Sequence, residues 1–399
     1  RTGGLEGRGG RLENGLVVAQ VALAVLIASG AALLMRSVAN LYAVNAGVRT
    51  EGVGVVDVTM GGGLSLERRQ LTIDELTAAL AELPGVRAAA AVQTLPLRGG
   101  GYGVTISVPG RPIPEGMSTE YRYVTPGYLE IMRITLLDGR MITGTDRGDT
   151  EPVVVINEAL AEEYFAGTNP IGQRIGDFSR SGKLPLVVGV VANAAESRLT
   201  DPPEPVRYTP VSQMAWVDDA LSLVFQAAPG ADPAIVLDAA RRTVPRVAPG
   251  VAVQGTTTMR RVLDAAVGPA RQVMLLLTLL SGLALTLGAV GVYGVIAHFA
   301  ARRRRDWAIR IALGLTGSGV IAHVVRHGAL LVAAGIGIGA LAATALARLL
   351  ASLLYGVSAA DPLAFAAASA VLLAVSLLAA FIPAWRVAMT DPMIMLREQ

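Results

Sequence analysis

Residues 274–297 contain no charged side chain, and Arg302, Arg303, Arg304 and Arg305 follow almost at once. At a rise of 1.5 Å per residue, about 20 apolar residues cross a hydrocarbon core ~30 Å thick, so this stretch predicts a transmembrane helix. Loops that stay in the cytoplasm keep their Lys and Arg, which puts the arginine quartet on the cytoplasmic side.

Three more stretches have the length and apolar character to span. The predicted spans are residues 15–36, 271–300, 328–354 and 362–385, with 1–14, 301–327 and 386–399 cytoplasmic. Arg1, Arg8, Arg11, Arg310, Arg326, Arg386 and Arg397 all fall inside on this reading, and the outer loop 357–361 carries no basic residue. The first apolar run is too long for the core of a secretory signal peptide. Residues 1–14 are Gly-rich and polar and read as flexible, and a chain opening on Arg1 reads as a piece of a longer polypeptide. In the third span Gly335 and Gly339 are either a notch for another helix or filler among small residues.

Half the residues are hydrophobic, 52%, but they are concentrated in blocks, as in a membrane protein with a soluble part. Residues 40–270 hold 20 basic and 25 acidic side chains, which leaves 14 basic and 6 acidic for the rest. The net charge of +3 therefore hides an acidic outer segment and basic membrane flanks. With one lysine and no interleaving of basic and aromatic residues, the chain has no nucleic-acid signature. It has no cysteine, which excludes disulfides and thiolate chemistry.

From residue 40 to 267 hydrophobicity falls, and turn residues recur between short apolar runs. Flanking charges place this soluble domain outside. Residues 53–60 alternate as a strand, 66–83 as an amphipathic helix with Leu71, Leu76, Leu80 and Leu83 on one side, and 86–95 as a second strand, a βαβ unit. Strands at 153–158 and 186–191 flank a helix at 159–165. Residues 256–266 read as a helix feeding the second span.

The residues exclude several chemistries. Gly182-Lys183 lacks both the earlier glycine and the Ser or Thr of a phosphate-binding loop. His323 and His327 have the spacing of a zinc pair but no third ligand, and the outer domain has no histidine for a triad. Secondary transport wants intramembrane carboxylates, and the spans hold none. No catalytic, cofactor-binding or metal residue is predicted.

After the arginine quartet comes a segment too short to span and too apolar for an ordinary loop. Arg305, Asp306, Trp307, Ile309, Arg310 and Gly314 resemble the cytoplasmic helix of the FtsX/MacB class of ABC transporter permeases, an arginine run followed by an acidic residue and I-x-I-R-x-A-x-G-A. Asp306 stands where Glu is usual and Leu315 where Ala is usual, and Gly317 and Gly319 weaken the helix. Further blocks carry the likeness: VVVINEALAEEYF at 153–165, NPIGQRI at 169–175, LTDPPEPVRYTP at 199–210 and the closing PAWRVAMTDPMIMLR at 383–397.

The resemblance implies an α-helical membrane protein of four transmembrane helices with a large α+β extracytoplasmic domain inserted between helices 1 and 2. That domain would comprise an α/β part at about 50–124 and 215–267 and a β-rich insert at about 125–214. It implies a permease of an export system in the bacterial inner membrane, hydrolysing nothing itself. Its partners would be a cytoplasmic ATP-binding cassette ATPase docking at Trp307 and Arg310, a second permease unit, and a periplasmic adaptor or outer-membrane protein. An FtsX-like regulatory subunit gating a periplasmic partner is the alternative. The chain also resembles one unit of the duplicated orphan permeases of Acidobacteria, which implies the further alternative of a permease without an ATPase.

Overall fold

The computed structural model describes residues 3–43, 45–99, 102–109, 118–176, 181–302, 317–349, 357–358 and 361–388. The chain divides into two compact units, Val44–Val267 and the combination of Arg1–Ala43 with Gly268–Gln399.

The first helix, α1, is Gly3–Ala43. Its start corrects the expectation of a flexible polar lead. Once a long apolar helix has nucleated, each added residue gains a hydrogen bond for one more pair of fixed dihedrals, so glycines at its end are carried along.

The outer unit is built on one ten-stranded sheet. In chain order its elements are β1 (Val53–Met60), α2 (Leu66–Ala81), β2 (Val86–Val92), β3 (Tyr102–Val104), β4 (Thr119–Val124) and α3 (Tyr128–Ile131). They continue with β5 (Leu136–Gly139), β6 (Val153–Asn157), α4 (Glu158–Phe165), β7 (Leu186–Val191), β8 (Val206–Pro210), β9 (Ala220–Ala227), α5 (Pro233–Val247) and β10 (Val251–Thr258). The strand order is β10-β1-β9-β2-β4-β8-β6-β7-β5, with β3 on β4.

The first four strands of that order form a split βαβ arrangement: β1-α2-β2 and β9-α5-β10 interleave, so β9 lies antiparallel between β1 and β2. The β1-α2-β2 segment is thus present, but its strands are not neighbours. Everything between β2 and β9 is an excursion that extends the same sheet through a single β2–β4 pairing, Val92 opposite Val124.

α2 and α5 cover one face. Ser65 caps α2 by accepting from Arg68 N at 3.3 Å, and Asp232 caps α5 by accepting from Ala234 N at 2.8 Å, with Pro233 just inside the start. Ile73, Leu76 and Leu80 meet Val56, Val58, Met60, Leu223 and Phe225 in the larger core. Leu71, expected on the buried side of α2, is exposed; Gln70 is buried in its place, because its amide donates to Val211 O at 2.9 Å.

A second core joins Val154, Ile156, Leu160, Phe165 and Val187 around β6, β7 and α4. Its organising residue is Asn157. The side-chain oxygen accepts from Leu160 N at 3.1 Å and Val206 N at 2.8 Å, and the amide donates to Asn193 Oδ1 and Glu204 O, both at 2.8 Å. One buried side chain thereby ends a strand, starts a helix and fixes the entry to β8, which is why the strand-Asn-Glu-helix sequence reads as it does.

α6 is Met259–Arg302, α7 is Gly317–Leu349 and α8 is Pro362–Ala388. The helix expected over 256–266 begins only at Met259, since three consecutive threonines, β-branched and better suited to a strand, stay in β10. Gly317 and Gly319, expected to weaken helix, lie in the opening turn of α7, where the penalty is smaller than in the interior.

Candidate functional site

Four stretches within α1, α6, α7 and α8 are long and apolar enough to cross a membrane: Asn14–Tyr42, Arg271–His298, Gly328–Arg348 and Phe365–Ile382. Their common core is Val17, Val21, Val25, Val292, Ile296, Val332 and Leu372. α1 packs against α7 at two glycines. A Cβ on Gly335 would lie 2.7 Å from Val21 Cβ, and one on Gly339 would lie 2.6 Å from Ala22 O and 2.7 Å from Val25 Cβ. Gly337 has nothing within 4 Å. Thus the Gly335–Gly339 face receives α1 of the same chain.

Two polar features lie in this unit. Gln20 Oε1 is buried without a hydrogen-bond partner and points at the place where a Cβ on Gly291 would sit, 2.0 Å away. Sequence reasoning passed over Gln20, although one amide in an otherwise apolar run is the signal that could have found it. Arg36, at the end of the first apolar run, pairs with Asp361. Asp361 also caps α8, accepting from Leu363 N at 3.0 Å, with Pro362 at the first helical position.

α6 runs through the boundary between the two units. It follows β10 without a break, and Met259, Val262, Leu263 and Val267 bury one side of its first turns. Pro269 then removes a helix donor two residues before the apolar stretch begins at Arg271. Beyond it, Leu275, Leu276, Leu279, Leu283 and Leu287 are exposed apolar side chains suited to lipid or another helix.

In the outer unit a buried polar cluster lies where β4 meets β8. Arg122 Nε donates to Glu196 Oε2 at 3.4 Å and its Nη1 to Glu120 Oε2 at 3.1 Å, while Tyr208 donates to Glu196 Oε1 at 2.7 Å. Burial pushes the Glu196 carboxyl upward, against the pull of Arg122 and the Tyr208 hydrogen bond. Burial also raises Tyr208 and Tyr128, with the Glu196 charge adding to the effect.

A family model for the MacB-like periplasmic core domain matches residues 15–243. The chain belongs to that family. A second model, FtsX-like permease C-terminal, matches residues 278–392, and together they make this a MacB/FtsX-type ABC permease. It is a multi-pass membrane protein of the bacterial inner membrane, with its large α+β domain in the periplasm between the first and second membrane helices.

This MacB-type permease is 22% identical to the macrolide export ATP-binding/permease protein MacB of Syntrophobacter fumaroxidans, over 96% of its own length. It spans 60% of that relative. Among solved structures, the periplasmic region of MacB from Actinobacillus actinomycetemcomitans is 14% identical with a TM-score of 0.39, covering 55% of this chain and 94% of that one. The extracellular domain of the noncanonic ABC-type transporter YknZ from Gram-positive bacteria is 16% identical with a TM-score of 0.34, covering 50% and 100%.

Of the residues singled out from sequence, Arg305, Asp306, Trp307, Ile309, Arg310 and Gly314 lie outside the described residues. Gly335 and Gly339 are in α7 against α1, as above.

Proposed function

We propose that this chain is the permease subunit of an ABC-type export system that carries the motion of a cytoplasmic ATPase to its periplasmic domain. The supporting observation is the continuity of α6, which leaves the outer sheet at Met259 and ends at Arg302, directly before the segment that holds Trp307, Ile309 and Arg310. A displacement applied at that segment has a helical route outward.

Passage of a polar solute between the helices has little support. The four candidate spans contain no Asp, Glu or Lys, and unsatisfied polar groups in the hydrocarbon region cost several kcal/mol each. Cargo is handled on the periplasmic side, and the second permease unit with a periplasmic adaptor or outer-membrane protein completes the path.

Trp307, Ile309 and Arg310, with Arg305, Asp306 and Gly314 framing them, form the docking surface for the ATPase. In a reconstituted complex with the co-purifying ATPase, Trp307→Ala and Arg310→Ala lower the stimulation of ATP hydrolysis while leaving expression intact. Unchanged stimulation in both variants contradicts the assignment. The absence of a polar path fits equally a regulatory subunit that gates a periplasmic partner, and an active complex that hydrolyses ATP yet depletes no cargo from proteoliposomes selects that reading.

A further inference from the structure

Strand alternation sends Val56, Val58 and Met60 of β1 toward α2 and α5, and Asp57 to the opposite face of the sheet. On that face a cleft of about 410 Å³ lies wholly within the outer unit, between β1, β10 and the first turns of α6. Its apolar wall is Leu97, Val262 and Ala265, and its charged wall is Asp57, Arg98 and Arg261.

The charges do not cancel. Arg98 Nη1 donates to Asp57 Oδ1 at 2.7 Å, and Ser222 Oγ donates to the same oxygen at 2.7 Å. Arg261 makes no ion pair among the described residues, so the lining carries one cation in excess. That excess lies within a domain whose acidic residues outnumber its basic ones. The Arg98 and Asp57 side chains are 34% and 26% exposed, so the pair is partly shielded from solvent.

The apolar wall is held deliberately. Leu97 sits at φ 66°, a left-handed conformation that disfavours a residue with a side chain, and is nevertheless buried. Its amide donates to Glu196 O at 2.8 Å, which ties the wall of the cleft to the Arg122–Glu196 cluster. In sequence, Ala265 precedes by six residues Arg271, where the apolar stretch of α6 begins.

We propose that this cleft binds an amphiphile with a phosphate head and a hydrocarbon chain, the head on Arg261 with Arg98 beside it and the chain against Leu97, Val262 and Ala265. Such a molecule comes either from the outer leaflet as a resident phospholipid or as an amphiphilic cargo; only the cargo role rests on the export reading above.

The test uses the full chain in phosphatidylcholine nanodiscs, without ATP or ATPase, and a fluorescent lysophosphatidylglycerol as probe. The wild type binds it saturably, and Arg261→Gln weakens binding about tenfold, as expected for one charge-assisted hydrogen bond. Ala265→Trp fills the apolar end and weakens the same probe comparably, with thermal transitions of both variants matching the wild type. Discs containing phosphatidylglycerol separate the sources: loss of probe binding there identifies a resident lipid, and retention identifies a cargo-like ligand, both with the site intact. Equal affinity of wild type, Arg261→Gln and Ala265→Trp, or binding that inorganic phosphate alone displaces as well as the amphiphile does, overturns the proposal. Because no nucleotide is present, a failure here leaves the ATPase-coupled reading standing, and a failure of coupling leaves the site standing.

Discussion

Arg122 Nη2 and Glu196 Oε2 lie 3.3 Å apart in the outer unit, and each side chain is 1% exposed. The pair ties β4 to the segment between β7 and β8, so it fastens two parts of the long excursion to each other beside the parallel β4–β8 pairing. Removing Arg122 leaves the buried Glu196 charge uncompensated, so Arg122→Met should destabilise the domain by about 3–5 kcal/mol. Glu196→Gln should cost less, because Arg122 keeps Glu120 at 3.1 Å, and the double substitution recovers much of the Arg122→Met loss. Denaturant unfolding of the full chain, read by hydrogen exchange within residues 45–267, checks this.

The same carboxyl predicts a pH dependence. Burial holds the folded pKa of Glu196 above its ordinary, unfolded value. Between those two values the folded state binds more protons, so the contribution of Glu196 to stability rises as pH falls through the raised value. Asp146 behaves oppositely: burial raises its pKa, but the Arg140 hydrogen bonds and that from Thr143 N outweigh it, so its stabilisation is lost as pH falls below the ordinary aspartate range. The stability of the wild type relative to Glu196→Gln should rise as the pH is lowered from neutral. A constant gap contradicts the burial-driven shift.

The glycine notch makes a position-specific prediction in the membrane unit. Gly339→Val forces a side chain against Ala22 O and Val25, and Gly335→Val against Val21, each costing about 1–3 kcal/mol through overpacking. Gly337→Ala meets open space and should be neutral or slightly stabilising through helix propensity. Thermal inactivation in detergent should rank Gly337→Ala with the wild type and both valine variants below it.

Topology can be read with one label. Ser358 is exposed in the outer loop, and the chain has no native cysteine. A membrane-impermeant maleimide should modify Ser358→Cys in intact spheroplasts. Modification only after permeabilisation reverses the orientation.

Much of this architecture was legible in the residues, because spans are set by length and apolarity and their orientation by arginines. The interior of the outer domain was less so. That β9 separates β1 from β2 depends on residues 220–227, far along the chain, and no local period reports such an insertion. Arg122 and Glu196 read as surface charges by residue type, since only the assembled sheet shows that each is the other's solvent. Gln70 displaced Leu71 from the buried face for a similar reason: its partner, Val211 O, is distant in sequence. The cleft beside α6 assembles Leu97, Asp57 and Arg261 from three separate segments, and no motif announces it.

The central claim is that the periplasmic domain moves with the ATPase cycle, and a distance between two copies tests it most directly. Ile235 in α5 is exposed, and the cysteine-free background permits a single spin label at Ile235→Cys. In a paired permease reconstituted with its ATPase, the inter-label distance measured by pulsed electron spin resonance should shift between the nucleotide-free and nucleotide-trapped states. An identical distance distribution in both states, in a complex that hydrolyses ATP and exports, would contradict the account.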